Sequence, residues 1–211
     1  MQNKDCKKCR RIGNKLFLKG EKCFGAKCVL SRKPYAPGMK GKKTRRGGKI
    51  GLSEYGIQLK DKQKVKFLYG LREKQFKNYV LKAQKTKGGN IPHVLLELLE
   101  SRIDNVIFRL GFDESRSKAR QIVSHGHILI NGKKVNLPSY KLKIKDKISM
   151  RPQSESKGIF KDLDIRLKKY NPPSWLKLDK DKKEGFVVGK PIIEDPDLEE
   201  NFNSIIGFYR R

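Results

Sequence analysis

Cys6, Cys9, Cys23 and Cys28 are the four cysteines of the chain, and all lie within its first 28 residues. Their spacing is C-x2-C, thirteen residues, then C-x4-C. Two close pairs across a short loop let a chain wrap four thiolates around one tetrahedral ion. Zn2+ is the first reading, because four thiolates make a closed structural site. An iron–sulfur cluster also takes four cysteines. Either centre would be structural, since no histidine, aspartate or glutamate joins the spacing to leave an open position.

The setting of these cysteines is basic. Residues 1–50 hold 17 Lys and Arg against only Asp5 and Glu21, and the whole chain carries a net charge of +29 over 211 residues. That much like charge repels itself and attracts phosphate at long range. Nucleic acid is therefore the leading partner, and a metal knuckle on a basic arm reads as a small ordered nucleus that holds cations against a polyanion. No apolar run approaches the ~20 residues of a membrane span. Met1 leads directly into polar and basic residues rather than an apolar signal core, so a cytosolic, reducing setting is expected, where clustered cysteines favour metal over disulfide. G-x-x-x-x-G-K, G-x-S-x-G and H-E-x-x-H patterns are absent, so neither an enzyme nor a small-molecule substrate is expected. The histidines His93, His125 and His127 fall at a helix start and a turn, where backbone contacts explain them as well as phosphate does.

Several elements must position these groups. Pro34, Pro37, Gly38, Gly41, Gly47 and Gly48 make residues 1–50 an arm of turns. Apolar spacing predicts helices over 53–69, capped by Ser53, and over Arg72–Lys85. A long helix is expected over 92–111, closed by Gly111. A short helix follows Ser115 and stops at Gly126. Asn131-Gly132 between apolar runs predicts a hairpin, and alternation continues through Tyr140, Leu142, Ile144, Ile148 and Met150, with a turn at Lys145–Lys147. Lys157–Lys169 reads as helical, and Trp175–Leu178 and Phe186–Val188 as strands. The terminal segment is acidic, with Leu198, Phe202, Ile205 and Ile206 on one helical face, so it should pack on protein rather than phosphate.

Residues 101–150 are the strongest nucleic-acid unit. The helix after Ser115 puts Arg116 and Arg120 four residues apart on one side, with Lys118 and Gln121 nearby, while Ala119, Ile122 and Val123 face a small core. The hairpin adds Asn131, Lys133 and Lys134.

These residues carry a family resemblance. The runs Ser101-Arg-Ile-Asp-Asn-Val-Ile-Phe-Arg-Leu-Gly-Phe and Ser115-Arg-Ser-Lys-Ala-Arg-Gln-Ile-Val-Ser-His-Gly-His-Ile-Leu-Ile-Asn-Gly-Lys-Lys-Val resemble an RNA-binding module named after the fourth small-subunit ribosomal protein. Gly20-Glu-Lys-Cys, Arg32-Lys-Pro-Tyr-Ala-Pro-Gly, Leu59-Lys-Asp-Lys-Gln-Lys-Val-Lys, Tyr69-Gly-Leu-Arg-Glu-Lys-Gln-Phe, Trp175-Leu-Lys-Leu and the terminal Phe208-Tyr209 resemble the bacterial family of that ribosomal protein, in its four-cysteine form. Lysine often stands here for arginine, which keeps charge but weakens bidentate contacts.

The resemblance implies an α+β fold. A mostly helical domain (45–91 and 186–211) is interrupted by a small α+β RNA-binding domain (92–185, core 101–150). An N-terminal metal-knuckle arm (1–44) precedes both. It implies a structural constituent of the small ribosomal subunit, in a cytoplasmic or organellar ribosome. Such a protein binds the 5′ domain of small-subunit rRNA early and nucleates its folding. It lies near where mRNA enters, touches neighbouring small-subunit proteins and influences fidelity. The expected RNA contacts are Arg10, Arg11, Lys40, Lys42, Lys43, Arg45, Arg46 and Lys49 on the arm, then Arg72 and Lys74. In the module they are Arg116, Lys118, Arg120, Gln121, His125, Lys133, Lys134 and Tyr140. Arg45-Arg46 is the expected surface nearest mRNA. Two rivals are weaker: an RNA-modifying enzyme lacks a catalytic acid in a pocket, since Asp104 lies inside a helix, and a DNA regulator lacks a groove-reading helix after the cysteines.

Overall fold

The computed structural model describes residues 4–38, 52–86, 89–155, 158–192 and 196–210. These fall into two compact units, Met1–Lys85 with Asp195–Arg211, and Thr86–Glu194.

The first unit holds α1 (Lys4–Ile12), a 3-10 turn (Gly20–Cys23), α2 (Val29–Arg32), α3 (Glu54–Leu68), α4 (Glu73–Lys85) and the terminal α10 (Pro196–Arg210). Ser53 caps α3 by accepting from the Gly56 amide at 3.2 Å, as its place before the apolar run required. The face of α10 formed by Phe202, Ile205 and Ile206 is buried, and α10 packs on α3. Polar ties fix the register of the two helices: Ser204 Oγ donates to Asp61 at 2.8 Å and Lys64 Nζ to Asn201 at 3.3 Å.

The N-terminal segment corrects one expectation. Its described residues are not an arm of turns. They contain a nine-residue helix whose Cys9 and Ile12 form a small buried cluster with Leu16 of the following chain, and Leu18, Leu30 and Phe67 pack against it. Phe67 belongs to α3, so apolar contact with the helical unit orders this segment.

The second unit carries α5 (Ile91–Glu100), α6 (Ile103–Arg109), α7 (Arg116–Ser124), α8 (Pro152–Glu155), α9 (Leu163–Lys169) and five strands. The strands are β1 (Ile128–Ile130), β2 (Lys133–Val135), β3 (Lys147–Met150), β4 (Leu176–Asp179) and β5 (Glu184–Val187), in antiparallel order β2-β1-β3-β5-β4. The fold is α+β. One core joins α6, α7, the sheet and α9, from Ile103, Val106 and Ile107 to Trp175 and Val187. Asn131 and Gly132 take φ of 49° and 79°, the paired positive values of a two-residue hairpin turn.

Two sequence expectations fail here. Residues 92–111 are two helices, not one. Arg102 leaves the helical region at ψ 138° and bridges Lys141, while the Ile103 amide donates to the Tyr140 carbonyl at 2.9 Å and the Leu142 amide to the Ser101 carbonyl at 2.9 Å. A strand-like segment thus takes the backbone groups that a continuous helix would use. Residues 158–169 likewise divide, into a 3-10 turn and α9, and Ile165 of α9 is exposed.

Glu73 ties the first unit together. It accepts from Lys62 Nζ at 2.7 Å, Lys66 Nζ at 2.8 Å and Tyr209 Oη at 2.8 Å. Burial alone would raise its carboxyl, but these donors prevail and hold it at about 2, below the ordinary 4.5. Burial and then Glu73 push the Tyr209 phenol up. Because the folded value is depressed, this stabilisation is present above about 4.5 and is lost as pH falls toward 2. The thermal midpoint should therefore fall more steeply across that window in the unaltered protein than in Glu73→Gln; parallel curves would contradict the assignment.

Candidate nucleic-acid interface

Ser115 begins the interface. Its hydroxyl accepts from the Lys118 amide at 3.3 Å and its own amide donates to Asp113 at 3.1 Å, so α7 starts at a fixed point. Burial pushes the Asp113 carboxyl up, against the Ser115 amide and nearby cations. Ala119, Ile122 and Val123 face the core, which leaves Lys118, Gln121 and His125 exposed. After His125, Gly126 turns the chain at φ 69° into β1. The stem of Lys134 lies where a Cβ at Gly126 would stand, so the end of α7 and the edge strand β2 touch. Lys133 and Lys134 are exposed on that edge. The fold therefore brings Lys118, Gln121, His125, Lys133 and Lys134 onto adjoining parts of one surface. His127 is turned inward instead, with Nδ1 2.9 Å from Ser154 Oγ and its ring edge-on to Phe160 at 5.8 Å. Tyr140 is exposed, at the segment that covers the start of α6.

The arginines behave differently. Glu100 is 2 % exposed and Asp104 5 % exposed, and cations converge on both. Arg109 grips Glu100 through Nε at 2.9 Å and Nη2 at 2.8 Å, and Asn105 donates to the same carboxylate. Arg102, itself buried, grips Asp104 through Nε at 3.0 Å and Nη2 at 2.6 Å. Arg116 donates Nε to Asn105 Oδ1 at 2.7 Å, lies 4.3 Å over the Phe108 ring, and reaches Glu100 at 4.0 Å. Arg120 stands 3.8 Å from Asp104 and stays more than a third exposed. Arg116, expected to face RNA, is thus largely committed inside the protein. Arg120 is shared between protein and solvent. Sequence reasoning missed Glu100, Arg102 and Arg109, because Glu100–Arg109 spans the helix break and Arg102–Asp104 are two residues apart, so neither pair obeys helical spacing.

The N-terminal candidates divide in the same way. Arg10 is 5 % exposed, stacks 4.8 Å over Tyr35 and donates to the carbonyls of Lys33, Tyr35 and Ala36. It pins α1 to the following chain, so the expected RNA contact there becomes an internal one. Arg11 is exposed, as are Arg72 and Lys74. Lys40, Lys42, Lys43, Arg45, Arg46 and Lys49 lie outside the described residues.

Cys6 and Cys9 stand three residues apart on α1, Cys23 ends the 3-10 turn, and Cys28 is the residue before α2. Burial pushes the Cys9 thiol up. The Leu16 backbone opposes that, and Cys23, Cys6 and Cys28 add to it slightly. The amides of Ser31 and Leu30 lower the Cys28 thiol, although the geometry stops short of a cap hydrogen bond. Four thiols and no carboxylate suit a closed zinc shell. As placed, however, they do not form one: among the described residues no three His, Cys, Asp or Glu side chains lie close enough together to hold an ion.

Comparison with known proteins now bears on this surface. Residues 1–100 match the family described as ribosomal protein S4/S9 N-terminal domain, and residues 101–148 match the S4 domain. Small ribosomal subunit protein uS4 of Heliobacterium modesticaldum is 44 % identical over 206 residues, 98 % of this chain and 96 % of the relative. The protein of that name from Thermotoga petrophila is 44 % identical over 207 residues, 98 % and 96 % of the two chains. Small ribosomal subunit protein uS4A of Alkaliphilus oremlandii is 46 % identical over 206 residues, again 98 % and 96 %. The chain belongs to the ribosomal S4 family. Its S4 domain coincides with α6, α7 and the β1–β3 strands, so the exposed lysines of α7 and β2 lie on that domain, and the buried carboxylate Asp104 organises its arginines.

The Glu100 cluster makes a direct prediction. Glu100→Gln removes the charge but keeps the shape, leaving Arg109 and Arg116 without their counter-ion. It should cost about 3 kcal/mol in denaturant unfolding of the full chain; a loss under about 0.5 kcal/mol, the range of ordinary surface substitutions, would contradict the role given to Glu100.

Proposed function

We propose that the protein is a structural, non-catalytic constituent of the small ribosomal subunit that binds rRNA through the exposed cations of its S4 domain. The observation that carries this is the similarity, along nearly the whole chain, to small-subunit relatives, combined with a cation surface at the α7–β2 junction on a chain of net charge +29. Lysines there meet phosphate, releasing counter-ions from crowded RNA helices. Recognition is by RNA shape and backbone, because the A-form major groove is too narrow for side chains.

The finer assignment is the 5′ domain of small-subunit rRNA, bound early at a junction of several helices so that the junction folds. Placement near where mRNA enters, contact with a neighbouring small-subunit protein and an influence on fidelity belong to the same proposal. They rest on the family resemblance, with Arg45-Arg46 as the mRNA-facing pair. Binding to a 5′-domain transcript across a salt series, with tRNA and duplex DNA as competitors, tests it. Tight binding should survive excess competitor. Lys133→Glu with Lys134→Glu should weaken it and reduce the log–log salt slope by about 2. Competitor-sensitive binding, or a slope that does not change, would remove the assignment.

The metal belongs to the same proposal: Cys6, Cys9, Cys23 and Cys28 hold one Zn2+, with an iron–sulfur cluster as the alternative. The spacing of the four thiols in the sequence supports it. Bound zinc would cross-link α1 to the turn before α2. Elemental analysis of the purified protein should find about one zinc per chain, lost in Cys23→Ser with new protease sensitivity confined to residues 1–30. Metal-free protein with the same protease pattern would contradict the site, and iron with visible absorbance would select the cluster.

A further inference from the structure

The chain between α1 and α2 holds two aromatic residues, Phe17 and Phe24, and both are exposed. Leu16 is buried, and Leu18 packs against the small cluster that Leu16 forms with Cys9 and Ile12. Phe17, between them, takes φ 48°, in the left-handed region that a bulky side chain seldom adopts, and is 41 % exposed. Phe24, which follows the 3-10 turn Gly20–Cys23, is 72 % exposed. The two rings stack on each other, with centroids 4.7 Å apart and planes 28° apart. Neither ring belongs to the buried cluster. Backbone strain that serves no core packing is a mark of a functional position.

A ring backed on one face by its neighbour and still this exposed presents its other face to solvent. Two nearby aromatic rings are closed by cations instead: Arg10 lies 4.8 Å over Tyr35, and Lys8 lies 5.5 Å over Phe67. Among the described residues no cation lies over Phe17 or Phe24. The charge along this stretch is positive. Residues 15–27 hold Lys15, Lys19, Lys22 and Lys27 against Glu21 alone, and Lys15, Lys22 and Lys27 are exposed. A basic partner is repelled there, and an uncharged one gains nothing from the lysines. An open aromatic face among cations fits a flat π system carried on a polyanion. An unpaired nucleotide offers both, its base to the ring and its phosphates to the lysines. Bases inside a duplex have both faces already stacked.

We propose that the open face of Phe24, backed by Phe17, is a stacking platform for one unpaired base of RNA. Every base has a π-face, so the platform tells unpaired from paired RNA rather than one base from another. Phe17 is a positioning residue, which holds the Phe24 ring from behind. The proposal deepens the rRNA reading and rests on it: it adds a single-strand contact on the first unit to the phosphate contacts of the S4 domain.

The test compares the unaltered full chain with Phe24→Leu and Phe24→Tyr for affinity to the 5′-domain transcript. Phe24→Leu should weaken binding about tenfold, the loss of one base–aromatic stack. Phe24→Tyr keeps the ring and should keep the affinity. The salt slope of Phe24→Leu should match that of the unaltered protein, because no phosphate contact is lost. Its thermal midpoint, measured alongside, should not move, since the side chain is exposed. Unchanged affinity in Phe24→Leu, or an equal loss in Phe24→Tyr, would overturn the platform. A loss seen only when a neighbouring small-subunit protein is added would assign the pair to protein contact and overturn it as well. The rRNA reading fails separately, if the unaltered protein does not select the transcript over tRNA and duplex DNA. The platform is then read on a single-stranded RNA oligonucleotide and on the same sequence in duplex. Phe24→Leu should lose affinity for the single strand alone, and no loss there would overturn the proposal.

Discussion

Two buried carboxylates, Glu100 and Asp104, organise the arginines of the S4 domain in a chain whose net charge is +29. Four arginines gather on them: Arg109 and Arg102 in bidentate grips at 2.6–3.0 Å, Arg116 and Arg120 at longer range. Without these anions the guanidinium groups of α6 and α7 would repel one another across a small core. With them, α5, α6 and α7 are joined at one point. A buried carboxylate in such company is not free stability, since desolvation offsets much of the Coulomb attraction. What it provides is a fixed geometry, in which the planar guanidinium groups can be directed only one way.

That geometry decides which cations remain for a partner. Four arginines, with their fork of donors, are used inside: Arg102, Arg109 and Arg116 on carboxylates and the Asn105 amide, Arg10 on three backbone carbonyls, whereas Arg11 and Arg72 stay exposed. Lysine is left outside, at Lys118, Lys133 and Lys134. A compact, mobile ammonium suits a partner recognised by its phosphate backbone, where charge counts for more than bidentate fit. The Gly126 turn keeps these lysines adjacent, because the stem of Lys134 occupies the space beside it.

Much of this was legible in the sequence. Asn131-Gly132 gave its hairpin, Ser53 and Ser115 their caps, and the apolar face of the acidic terminal segment its packing on α3. Each of these signals is local, carried by neighbouring residues along one element. The failures are non-local. The break at Ser101-Arg102 is imposed by residues 140–142, forty positions on, so helical periodicity ran straight through it. Arg116 and Arg10 looked like surface cations because their partners, Asn105 and the 33–36 carbonyls, cannot be found by helical spacing. The order of residues 4–38 depends on Phe67 of α3, which composition of the segment alone could not reveal.

The division of labour between internal arginine and external lysine is the central claim, and residue-specific chemical footprinting tests it most directly. The free protein and its complex with small-subunit rRNA are treated with lysine- and arginine-selective reagents and read by mass spectrometry. Lys118, Lys133 and Lys134 should be reactive in the free protein and protected in the complex, while Arg10, Arg102 and Arg116 stay unreactive in both. Arg116 reactive when free and protected on RNA, with the three lysines unchanged, would contradict it.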